Sequence, residues 1–180
     1  MVDAGHNPQP SARATLVVIG GLPATGKSTI ARALTRHHQI PYVRIDTIEQ
    51  ALTGSGIADA SGTAGYIIGY ALAAEQLRMG LSVVVECVNP VEVTRNAWSA
   101  TAQQNSARLL NVEVVCSDPD EHRRRAEQRV VDIPDLVLPT WQEILDRDYE
   151  PWTVERLVLD TAIMNFDSAV RLVTARMFIA

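Results

Sequence analysis

The sequence predicts an α/β fold, a parallel β-sheet covered by helices on both faces. Three observations predict it. Short runs rich in Val, Ile and Leu alternate with segments of helical periodicity along the 180 residues, the order that builds parallel sheets. These runs are apolar throughout rather than at every second residue, as strands buried on both faces are. The first run leads through a glycine-bearing octapeptide, G-L-P-A-T-G-K-S at residues 21–28, directly into a helical pattern.

Taken in order, residues 15–19 form the first strand, ending at Gly20-Gly21. Residues 27–38 place Ile30, Ala31, Ala33 and Leu34 at helical spacing. Residues 42–45 form the second strand, and Asp46 opens a brief helix to Leu52. Residues 53–65, rich in Gly, Ser and Ala, read as a loop. A helix over residues 66–79 stops at Gly80. Residues 82–85 are the third strand, and residues 90–104 a helix with Pro90 in its first turn. Residues 109–115 are the fourth strand. Asp118-Pro119 caps a helix that runs to about residue 130. Residues 132–139 carry two prolines and form a loop. Thr140 and Glu143 then make a capping box for a further helix. Residues 156–159 are the last strand and 168–177 the last helix. Residues 1–14 are polar and lack the apolar core of a secretion signal, so they are expected as a flexible tail before one domain over 15–180.

Composition narrows the function. With 47% hydrophobic and 21% charged residues the chain is of the globular class. No stretch nears the roughly 20 apolar residues of a membrane span, and without a targeting segment the cytoplasm is the expected location. The net charge of −5 disfavours a nucleic-acid binder, whose affinity rests on neutralising phosphates, although residues 123–129 form a local basic patch. Cys87 and Cys116 each end an apolar run and read as small buried hydrophobes rather than as a disulfide.

Residues 21–28 carry the chemistry. Gly21, Gly26 and the small residues between them let the backbone wrap a phosphate. The following helix offers its dipole and free N–H groups. The expected nucleotide-binding set is Gly21, Leu22, Pro23, Ala24, Thr25, Gly26, Lys27, Ser28 and Thr29. Lys27 reaches the terminal phosphates and the Ser28 hydroxyl holds Mg²⁺.

The strand ends carry further candidates, since ligands of open α/β sheets bind at the carboxyl ends of the strands. Asp46 either orients an acceptor hydroxyl and takes its proton, or caps its helix. Glu86 holds the metal, contacts substrate or pairs with a lid arginine. Asn89 contacts substrate or shapes the turn. Arg125 and Arg129, four apart, share a helix face and would stabilise charge on a transferring phosphoryl group. Arg123 and Arg124 are expected to be solvated. Trp141, Tyr149 and Trp152 are expected to pack the lid onto the core.

On these motifs, with R-I-D-T-I-E, V-E-C-V-N-P and L-P-T-W-Q-E-I-L-D-R-D-Y-E-P-W, the chain resembles the small P-loop kinases related to gluconate, shikimate and adenylylsulfate kinases. It is similar also to zeta toxins, chloramphenicol phosphotransferase, the polynucleotide 5′-kinase domain, and bacterial proteins labelled AAA-family ATP-binding protein or predicted kinase. The resemblance spans about residues 15–165. It implies a three-layer P-loop NTPase fold with five parallel strands ordered 2-3-1-4-5 and an arginine-bearing lid at about residues 123–140. It implies that Asp46 activates the acceptor, that Arg125 and Arg129 reach the phosphates or adenine, and that residues 160–165 border the adenine. Glu86 stands where related kinases often carry Asp. The resulting expectation is an ATP- and Mg²⁺-dependent kinase acting on a hydroxyl of a small molecule. The alternatives are a polynucleotide 5′-hydroxyl kinase and a nucleotide-binding regulator without catalysis.

Overall fold

A computed structural model describes residues 13–56 and 62–178. Most of the expected tail, residues 57–61 of the 53–65 loop, and residues 179–180 lie outside the described residues. The element order is β1 (Thr15–Gly20), α1 (Lys27–His38), β2 (Tyr42–Arg44), α2 (Ile45–Gly54), α3 (Ala64–Arg78), β3 (Val83–Glu86), α4 (Glu92–Gln104), β4 (Arg108–Val115), α5 (Pro119–Gln128), α6 (Trp141–Leu145), β5 (Leu157–Asp160) and α7 (Phe166–Met177). The five strands form one all-parallel sheet in the order β2-β3-β1-β4-β5.

β1 lies in the middle and is buried along its whole length. Successive side chains of a strand point to opposite faces, so β1 serves two cores. Leu16 and Val18 join Val83, Val85, Ala73, Leu77 and Trp98 beneath α3 and α4. Val17 and Ile19 join Val84, Val112, Val114, Ile30, Leu34 and Val173 beneath α1 and α7. The unbroken apolar runs in the sequence are the trace of this two-sided burial. With every strand parallel, all five carboxyl ends lie at one edge of the sheet, and the loops there build the site.

Three expectations are corrected. α4 begins at Glu92, not at Pro90. The reason is Arg95, which is 3% exposed and draws the preceding carbonyls to itself. Its guanidinium donates to Asn89 O (3.1 Å), Pro90 O (2.8 Å), Glu150 O (2.7 Å) and Pro151 O (2.9 Å). α5 ends at Gln128, with Arg129 in extended backbone (φ −62, ψ 130), so Arg125 and Arg129 do not share a helix face. Cys116 is only half-buried, although Cys87 is fully so and neither forms a disulfide. The aromatics do pack: Trp152 is buried under the Arg95 guanidinium at 4.4 Å, and its Nε1 donates to Tyr149 OH at 2.9 Å. Trp141 meets the His122 ring edge-on at 5.1 Å.

Burial raises the pKa of Tyr42, Tyr66 and Tyr70 well above the ordinary value of 10.0, and that of Tyr149 to about 12. Desolvation of the phenolate is the largest cause in each, and for Tyr42 the neighbouring Glu86 carboxylate adds to it. A group whose pKa rises on folding contributes stability that is whole below its unfolded value and is lost as pH rises through the folded one. Phenolate absorbance should therefore stay flat through pH 10.0 and rise only near and above about pH 12, together with loss of structure. Normal titration of two or more tyrosines near pH 10.0 in the folded chain would contradict this burial.

Candidate active site

The loop after β1 is a built cradle. The Gly21 N–H donates to Val88 O at 3.0 Å, and Gly21 has φ +137. Ala24 (φ +66) and Gly26 (φ +101) turn the chain again, and Gly26 is the N-cap of α1. The loop thereby wraps the positive end of a twelve-residue helix, where the first-turn N–H groups have no carbonyl within the helix to bond. Lys27 is 7% exposed and folds back onto the loop, its Nζ donating to Leu22 O at 2.7 Å. Burial lowers the Lys27 pKa, and the Glu86 and Asp46 carboxylates oppose that shift.

Pro23, Ala24, Gly26, Lys27, Ser28 and Thr29 form one wall of a cavity of about 640 Å³. Gly21, Leu22 and Thr25 lie behind that wall and shape it. Asp46, Glu49, Tyr66 and Glu86 line the same cavity, Glu86 in direct contact with Ser28, and residues from Arg125 to Arg147 complete the lining. Six cationic side chains (Lys27, Arg32, Arg44, Arg125, Arg129, Arg147) face four acidic ones (Asp46, Glu49, Glu86, Asp132). The cavity thus carries a positive surplus inside a chain of net charge −5, which suits an anionic ligand.

Glu86 ends β3 at 2% exposure, in register with Arg44 of β2 and Ile19 of β1. The Ser28 hydroxyl donates to its Oε1 and the Tyr42 hydroxyl to its Oε2. Its nearest cation is Arg44, with Nε 3.7 Å from Oε2. Of the two expected pairings, the arginine beside it comes from a strand and not from the lid. A carboxylate touching the P-loop hydroxyl supplies two hard oxygen donors for Mg²⁺, an ion that completes its shell with substrate phosphates and water. No group of three or more His, Cys, Asp or Glu among the described residues could hold a metal without such help.

Asp46 is the second residue of α2, and no side chain caps that helix. Its Oδ2 lies 3.7 Å from Arg44 Nη2, its side chain is 33% exposed, and it lines the same cavity as Lys27 and Ser28. The capping alternative is therefore set aside. Asn89 takes the second of its two expected roles, shaping the turn. It is fully buried, at φ +54, with Oδ1 accepting from Thr94 Oγ1 at 2.9 Å, and only its neighbours Val88 and Pro90 line the cavity. It shapes the turn after β3 and meets no substrate space.

The lid side is tied to the loop at two points. Arg125 donates to Thr161 Oγ1 (2.8 Å) and Thr161 O (3.1 Å), and Thr161 Oγ1 donates to Thr25 O (2.8 Å). His122, 7% exposed, places Nε2 2.8 Å from Pro23 O. A carbonyl can only accept, so that nitrogen carries the proton. Arg129 is half-buried and makes no hydrogen bond or ion pair with the described residues. Burial lowers its pKa against the pull of Asp46 and Glu86. Arg123 and Arg124 are exposed and paired with Glu127 and Glu121, as expected of a solvated face. Arg32, Arg44, His122 and Asp132 did not emerge from the sequence. The one available signal was Arg44 itself, a charge at the end of a strand two residues before Asp46.

The family model for the AAA domain matches residues 16–151. Among solved structures, the fold is similar to that of the Mycobacterium tuberculosis APS kinase CysC in complex with AMPPNP and APS. Identity is 19%, coverage 91% of this chain and 96% of that one, and TM-score 0.69. It is also similar to a gluconokinase from Sinorhizobium meliloti 1021, at 18% identity, 94% and 95% coverage, and TM-score 0.62. Chaetomium thermophilum Kti12 in complex with ADP-AlF3 is similar at 19% identity, 92% and 100% coverage, and TM-score 0.65. No curated protein matches the chain. The shared architecture is that of P-loop NTPases. No described helix is long and apolar enough to cross a membrane.

Proposed function

The chain belongs to the AAA domain family, and from that footing we propose that it is an ATP- and Mg²⁺-dependent kinase that phosphorylates a hydroxyl of a small molecule. One observation carries the reading. Asp46, after β2, lines the same cavity as Lys27 and Ser28, after central β1, with β3 and its Glu86 between the two strands, and Arg129, which has no hydrogen bond or ion pair with the described residues, lines that cavity too. Nucleotide binding alone would not need a carboxylate there.

The residues divide the work. The amides of residues 24–29 hold the phosphates, and Lys27 exchanges Leu22 O for the terminal phosphate oxygens. Ser28 and Glu86 would hold Mg²⁺, which neutralises phosphate charge when bound. Asp46 accepts the proton of the acceptor hydroxyl as its oxygen forms a bond to the γ-phosphorus and the bond to ADP breaks. Arg129 supplies positive charge to the transferring group, and Arg125 keeps the β5–α7 loop seated against the P-loop. The APS kinase and gluconokinase among the similar structures are in keeping with this reading. So is the net charge of −5, since a polynucleotide acceptor would call for a basic surface.

The test is ATP-dependent phosphate transfer across a panel of sugars, nucleosides, hydroxy acids and antibiotics, with Lys27→Ala as the control. Transfer to at least one acceptor, lost in Lys27→Ala, is the expected result. Tight ATP binding with no transfer to any acceptor would replace the kinase with a nucleotide-dependent regulator.

A further inference from the structure

We propose that the acceptor carries a compact oxyanion close to its reactive hydroxyl, and that Arg32 and Arg44 hold it. This rests on the kinase reading and adds the chemical class of the substrate.

Asp132 places a single oxygen, Oδ2, against both guanidinium groups, Arg44 Nη1 at 2.8 Å and Arg32 Nη2 in direct contact. The two arginines sit on fixed elements, Arg32 in α1 and Arg44 at the end of β2. Asp132 sits in the irregular stretch between α5 and α6. The carboxylate is therefore the movable member of the cluster. A carboxylate held by two arginines is itself a small oxyanion, and it marks the shape of what the pair accepts.

Arg44 has capacity beyond Asp132. It is 7% exposed, and its Nε is buried with no hydrogen-bond acceptor among the described residues. Asp46 and Glu86 lie at 3.7 Å, beyond hydrogen-bond reach, and Glu86 already receives two hydroxyls. A guanidinium has five donors, and among the described residues Arg44 has one hydrogen-bonded acceptor, Asp132. A buried cation with an orphaned donor is costly unless an anion completes it.

Location assigns that anion to the acceptor rather than to the nucleotide. The sheet order puts the P-loop after central β1, with Arg125 and Thr161 on the β4–β5 side. Arg44 lies on the opposite, β3–β2 side, two residues before Asp46. An acceptor whose hydroxyl meets Asp46 brings its neighbouring substituent to Arg44, where an anionic group takes the place of Asp132.

The test uses the full chain saturated with AMPPNP and Mg²⁺, so that phosphate positions are filled, with sulfate and acetate titrated separately by calorimetry. Asp132→Asn should bind at least one of the two anions about tenfold more tightly than wild type. Adding Arg32→Gln to Asp132→Asn should reverse that gain by about tenfold or more. Arg32 is 38% exposed, so its replacement spares the fold, whereas Arg44→Gln alters a buried site. A preference for acetate points to a carboxylate acceptor, and a preference for sulfate to a sulfate or phosphate group. Equal anion affinity in wild type, Asp132→Asn and the double variant would overturn the proposal and leave Asp132 as a lid tether only. Absence of AMPPNP binding would sink the kinase reading instead. The anion difference between the single and double variants, measured without nucleotide, would still decide the arginine pair.

Discussion

Replacing Asp46 by Asn is expected to slow phosphoryl transfer about 10²- to 10⁴-fold, the usual contribution of a positioned acid–base group. Asparagine keeps the size of aspartate and can still orient a hydroxyl, but it cannot take the proton. The fold should tolerate the change. Asp46 makes no cap for α2, its side chain is a third exposed, and its nearest ion-pair distance is 3.7 Å to Arg44. ATP affinity should hardly move, because Asp46 follows β2, which β3 separates from the strand that carries the P-loop. The loss should therefore appear in kcat, with the melting temperature unchanged. Turnover equal to wild type would remove Asp46 from the chemistry and leave its place at the strand end without a catalytic use.

Gly21→Ala should damage both stability and nucleotide binding. At φ +137 a side chain is strained before any neighbour is considered, at a cost of about 1–3 kcal/mol. A Cβ there would also press on the carbonyl oxygen of Val114, closer than van der Waals contact allows. That oxygen belongs to the backbone of β4, which is tied to β1 and β5 by the sheet and cannot rotate aside. The strain is relieved only by moving the P-loop off β4, which spoils the amide cradle. Gly54→Ala is the internal control. No atom lies within 4 Å of its added Cβ, and its helical position favours alanine. The denaturation midpoint and ATP affinity should both fall in Gly21→Ala and hold in Gly54→Ala. Wild-type values in Gly21→Ala would show that the loop has room for a side chain.

The fold was legible because its signals are local. Residues 15–19 and 82–85 are apolar at every position, and only two-sided burial calls for that. The capping box at Thr140 and the Asp118 cap were read from residue types alone, and both are present. Strand order came from the resemblance and not from the residues. The P-loop and the strand-end carboxylates Asp46 and Glu86 were legible for the same local reason, since each sits directly after an apolar run.

What stayed hidden depends on distant partners. Asp132 meets Arg44 across 88 residues of sequence, and His122 meets Pro23 across 99. No spacing rule reports such pairs. Residue type left Asn89 between substrate contact and turn, and what decides for the turn is a tertiary fact, its packing against Gly20, which Trp152 also covers. Arg129 was placed on the α5 face because that helix was read as running to about residue 130, yet it stops at Gln128, ahead of the β-branched pair Val130-Val131. The new position makes Arg129 more available, since it lies outside the helix and has no hydrogen bond or ion pair with the described residues.

The central claim is that residues 21–29 are shaped to take the phosphates of a nucleoside triphosphate. Calorimetric titration of ATP with Mg²⁺ into the full chain tests it directly. Saturable binding of one ATP per chain, lost or sharply weakened in Lys27→Ala, is the predicted result. A flat titration with ATP and with GTP, in protein shown to be folded, would contradict the account.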